Sequence, residues 1–126
     1  MIDWLIIGGG IHGTYLSNLL LHRNDLTHDD IRVVDPNPVP LSDWMRNTRN
    51  CGMDYLRSPA THNIDIGIMA MHQFAKSEAG RPYADFRPPY FRPALALFQK
   101  HCEAVVEHHR LNTLRVQARA TALKKL

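Results

Sequence analysis

Cysteine is scarce, long apolar runs are missing, and neither sign of charge dominates. Only two cysteines, Cys51 and Cys102, occur in 126 residues, with no CxxC spacing. A disulfide framework is therefore excluded, and free thiols in a cytoplasmic setting are the expectation. No apolar stretch approaches the ~18 residues of a membrane span. The run near the N-terminus, Trp4 to Ile7, stops at three glycines, so neither a span nor a secretory leader is expected. Fifteen Lys and Arg against 12 Asp and Glu leave a net charge of +3, too little to argue for nucleic acid unless the charges cluster. They do so only in Arg110, Arg115, Arg119, Lys124 and Lys125, without interleaved aromatics, which reads as solvated surface. Histidine is abundant, with eight residues, yet the spacing disfavours a metal centre. His108 and His109 point to different sides of a helix, and His101 and His108 lack a third ligand.

What is present is an alternation of strand and helix patterns. Residues 2 to 7 are rich in β-branched and large apolar groups, as a buried parallel strand would be. Ile11, Tyr15, Leu16, Leu19 and Leu20 follow at spacings that fit one face of a helix from about Ile11 to His22, and that face is expected on a sheet. Ile31 to Asp35 reads as a second strand, closed by Pro36. A right-handed strand–helix–strand crossover makes the two strands parallel neighbours. Pro36, Pro38 and Pro40 then force an extended exit. Short helices are expected near Ser42 to Thr48 and Ile64 to Ala75, and an irregular stretch over Gly80 to Pro93. Pro93 suits the first position of a helix reaching about Arg110, with Leu95, Phe98, Cys102, Val105, Val106 and His109 on one stripe. A third strand is expected at Leu114 to Ala118, and the start of another near Thr121 to Leu126.

The glycine cluster carries the chemistry. Gly8, Gly10 and Gly13 satisfy G-x-G-x-x-G, directly after the first strand and at the opening of the helix, and Asp35 ends the next strand 22 residues beyond Gly13. That context makes the motif an adenine-dinucleotide signature. Gly8 permits the tight turn, Gly10 lets the backbone approach a diphosphate, and Gly13 lets helix and strand lie close. Helix N–H groups then hold the anion, and Asp35 accepts hydrogen bonds from ribose hydroxyls. His12, near the phosphate position, either adds charge or faces solvent. Thr14 either donates its hydroxyl to the diphosphate or bonds back to a carbonyl. The turn sees only the half that flavin and nicotinamide dinucleotides share.

Ile6-Ile7-Gly8-Gly9-Gly10-Ile11-His12-Gly13, Val33-Val34-Asp35-Pro36, Trp44, Met53 and Leu56-Arg57-Ser58-Pro59 with His62 carry a resemblance. The chain resembles the flavin-dependent oxidoreductases with two dinucleotide-binding domains, and more narrowly the lysine and ornithine N-monooxygenases. The resemblance implies that the first glycine turn binds FAD, and that Trp44, Arg57 and Ser58 pass near the flavin ring or its ribityl chain. It further implies an α/β, Rossmann-like FAD/NAD(P)-binding fold, of which residues 1–126 would be the N-terminal part. Its parallel sheet would be incomplete, and the NADPH-binding domain and later strands would be absent. NAD(P)H would be the reductant and a small molecule the substrate, with a second chain as one way to complete the fold. His12 departs from the proline or serine of many relatives. Two readings follow: the FAD-holding portion of a monooxygenase-like enzyme, or a dinucleotide-binding module without turnover. Cys102, on an apolar stripe, is expected in the core.

Overall fold

The computed structural model describes residues 1–125. It is a mixed α/β structure around a three-stranded parallel sheet. Strand β1 (Trp4–Ile7) leads through the glycine turn into helix α1 (Ile11–Leu21), which returns to β2 (Ile31–Asp35). Helices α2 (Ser42–Asn50) and α3 (Ala70–Lys76) follow, then a 3-10 turn at Arg81–Tyr83 and a small hairpin of β3 (Phe86–Arg87) and β4 (Arg92–Pro93). Helix α4 (Leu95–His108) and a 3-10 turn at Leu111–Leu114 complete the crossover to β5 (Arg115–Gln117). The sheet order is β1-β2-β5, with Ile6 beside Val33 and Val34 beside Val116. β2 is central, and its burial alternates because one face of the sheet is the more covered: Ile31, Val33 and Asp35 point to that face.

The core lies between that face and α4, where Leu97, Phe98, Cys102 and Val105 are buried against Ile31, Val33, Leu111 and Leu114. Cys102 sits in it as expected, and burial pushes its thiol pKa up. No helix among the described residues is long and apolar enough to cross a membrane.

Four local expectations are corrected. Helix α1 turns Thr14, Ser17, Asn18 and Leu20 inward, while Tyr15, Leu16 and Leu19 stay exposed. The cause is steric: a Cβ on Gly13 would stand 1.9 Å from the Gly8 carbonyl oxygen, so the helix approaches through its smallest residues. Ser17 donates to the Thr14 carbonyl and Asn18 to the Ile64 carbonyl, while Oδ1 of Asn18 is buried without a partner among the described residues. Pro93 does not open a helix; it pairs with Phe86, and its carbonyl accepts from Leu56. The helix expected over Ile64 to Ala75 begins only at Ala70, and residues 118–125 form no strand. The last residue of that expected strand, Leu126, lies outside the described residues.

Candidate functional site

The glycine turn sits at the C-terminal end of β1. Gly8 adopts φ +102°, a conformation that side chains rarely tolerate, and its N–H donates to the Val34 carbonyl. Gly10 precedes α1 and offers no side-chain cap. The N–H groups of Ile11, His12 and Gly13 therefore have no acceptor within the helix. Side chains added at Gly8 or Gly10 would meet nothing within 4 Å, whereas one at Gly9 would stand 2.3 Å from Nη1 of Arg115. The turn is thus packed from below and open above.

Asp35 braces it. Oδ2 accepts from the Gly9 N–H at 2.8 Å, and Oδ1 accepts from the Asn37 N–H at 2.8 Å and Asn37 Nδ2 at 3.0 Å. Arg115 Nη2 donates to Oδ1 at 3.3 Å and also to the Asn37 carbonyl. Burial pushes the carboxyl pKa up, and the donors from Gly9, Asn37 and Arg115 outweigh it, holding Asp35 below the ordinary value. Oδ2, with one protein donor, keeps a lone pair for a further donor. Nε and Nη1 of Arg115 are buried without a partner among the described residues.

The loop after β2 folds back over the turn: the Leu41 N–H donates to the Gly9 carbonyl at 2.8 Å. Leu41 is buried with φ 64°, a left-handed conformation that costs a non-glycine residue ~1–3 kcal/mol. That reversal launches α2 and aims Trp44 at Phe98, their rings 4.8 Å apart.

Beside the open side of the turn lies a largely apolar cavity of about 440 Å³. Ile11, His12, Trp44, Arg57 and Ser58 line it, so five residues singled out from sequence meet in one place, with Met53 and His62. Thr14 is not among them; it is buried, and its hydroxyl donates to the Gly9 carbonyl at 3.2 Å. Pro36 is exposed beyond the strand end, its carbonyl accepting from Gln117. Sequence reasoning missed Phe98 and Ile64 as cavity walls and Arg115 as the brace, because each is brought in from a distant segment. A second groove of about 540 Å³ runs between α2 and α4 over Leu41, Met45 and Val106 and contains none of the predicted residues. Among the described residues no group of three His, Cys, Asp or Glu side chains converges to hold a metal ion. No family model, curated protein or solved structure matches the chain.

Proposed function

We propose that this chain is the FAD-binding portion of a flavin-dependent oxidoreductase, NAD(P)H-dependent and monooxygenase-like, acting on a small molecule. The observation that carries the reading is the adjacency of an open glycine turn to an apolar cavity lined by Trp44, Arg57 and Ser58. An adenine dinucleotide has those two needs: fixed N–H donors for a diphosphate and a flat apolar space for its ring system.

On this reading Gly8, Gly9 and Gly10 form the cradle, and the N–H groups of Ile11, His12 and Gly13 hold the diphosphate. Asp35 Oδ2 accepts from a ribose hydroxyl beside Pro36. Trp44, Met53 and Phe98 exclude water from the ring, and Arg57 and Ser58 supply its polar contacts. Bound there, the cofactor would exchange two electrons with a nicotinamide reductant and then serve oxygen chemistry on the substrate. The sheet would be the N-terminal part of a Rossmann-like domain. The nicotinamide-binding part would come from elsewhere in the protein or from a second chain. Two unpaired cysteines suit the cytoplasm.

A second reading, a dinucleotide-holding module without turnover, is favoured by one observation: among the described residues no carboxylate lines the cavity. Calorimetric titration tests the first reading. FAD binds, ADP competes with it, FMN does not bind, and Asp35→Ala weakens FAD by about 1–3 kcal/mol. FMN binding as well as FAD, or ADP failing to compete, would contradict it. Reduction of bound flavin by NADPH separates an enzyme from a module.

A further inference from the structure

β1 is the outermost strand of the sheet. The N–H groups of Trp4 and Gly8 donate to the carbonyls of Asp30, just before β2, and of Val34 on β2, so by strand alternation the backbone groups of Leu5 and Ile7 face outward. Two of the usual protections of an edge are missing: β1 contains no proline and no charge. Leu5 and Ile7 are 58% and 49% exposed. Helix α1 adds to this surface. Gly13 abuts Gly8 and Ile6, while Thr14 and Ser17 face Leu111 and Arg115. Helical periodicity then puts Leu16 and Leu19 on the flank turned away from β5, above the open edge.

We propose that a second copy of this chain occupies this surface, the side on which a Rossmann-like sheet adds its next strand, β1 pairing antiparallel with its counterpart about a twofold axis normal to the sheet at Ile6. Leu5 then lies opposite Ile7 of the second copy, and the outward backbone groups of both residues form hydrogen-bonded pairs. The result is a continuous six-stranded sheet. The same axis fits the helices. α1 rides over β1 and β2 alike, about half a strand spacing inside the edge. With strands ~4.8 Å apart, the two α1 axes come to lie ~10 Å apart, the normal packing distance of helices. Leu16 and Leu19 then meet their counterparts. Asp3 falls opposite Gly9, so no like charges oppose each other. Trp4, Leu5, Ile7, Leu16 and Leu19 are each 38% to 58% exposed. With the edge backbone they offer area of the order of the ~800 Å² each partner buries in a standard interface.

Sedimentation equilibrium of the full chain at ~100 μM, where a ~1 μM association is saturated, tests this. The wild type has the mass of two chains. Leu5→Pro removes an outward N–H at no cost to internal bonding, and Leu16→Lys with Leu19→Lys places four like charges at the axis. Each variant runs at the mass of one chain with the wild-type circular dichroism spectrum. Should Leu5→Pro disturb folding, the lysine pair decides. A single-chain mass for the wild type, or a dimer that survives the folded variants, overturns the proposal.

Discussion

Arg115 lies so close beneath Gly9 that a methyl group on the glycine would stand 2.3 Å from its Nη1. From there the guanidinium reaches Asp35 and the Asn37 carbonyl, tying β5, the end of β2 and the glycine turn into one unit. The pair is well shielded, with side chains 6% and 12% exposed. Arg115→Met is expected to cost about 2 kcal/mol in urea unfolding, less than the ~3–5 kcal/mol of a buried charge left wholly unpaired, because Gly9 and Asn37 still serve Asp35. An unchanged unfolding midpoint would contradict this role.

Gly13 and Gly10 separate stability from binding. Gly13→Ala drives a Cβ to 1.9 Å from the Gly8 carbonyl oxygen and is expected to destabilise by about 3 kcal/mol. Gly10→Ala meets nothing within 4 Å and keeps an ordinary extended backbone. Its unfolding free energy should stay within ~0.5 kcal/mol of wild type, while FAD affinity falls at least ~10-fold, or ~1.4 kcal/mol. Equal affinity for Gly10→Ala would remove the diphosphate from the turn.

The turn and the order of β1, α1 and β2 were legible in the sequence, whereas the closeness of Trp44, Arg57 and Ser58 came only from the family resemblance. Glycine spacing and a strand-ending acid are local signals of local geometry. The inward face of α1 was not legible, because hydrophobic periodicity nominated Tyr15, Leu16 and Leu19, whereas the close approach imposed by Gly13 favours Thr14, Ser17 and Asn18. Arg115 was also hidden: its partner Asp35 lies 80 residues earlier, and in sequence it reads as one of a run of surface bases. Pro93 suits a helix start on its own, and only the pairing with Phe86 shows that it ends a hairpin instead.

His101 is buried, tilted against Phe74, and its Nδ1 has no partner. Burial holds its pKa below the ordinary value, and Asp65 only partly opposes this. The unfolded chain therefore binds a proton that the folded one resists. Stability should be flat above ~6.5, the ordinary histidine value, and fall as pH drops below it. His109, also depressed by burial, adds to the same slope. Thermal melts from pH ~8 to ~5 check this. His101→Phe should flatten the fall without abolishing it; an identical slope would refute the assignment.

Trp44 lines the cavity, whereas Trp4 lies on the outer strand. Adding FAD should quench the emission of Trp44, and Trp44→Phe should remove most of that quench while leaving the Trp4 signal. Trp44→Phe keeps an aromatic ring against Phe98 and should cost less than ~1.5 kcal/mol of stability. Quenching confined to Trp4 would put the flavin elsewhere.

The most direct measurement is the visible absorbance of the chain after incubation with FAD and desalting, beside Gly10→Ala treated identically. The oxidised-flavin band should stay with the wild-type protein and leave with the variant, both keeping the same circular dichroism spectrum. A folded wild-type chain that emerges colourless, or a variant that retains as much flavin, would contradict the assignment of the glycine turn and its cavity to FAD.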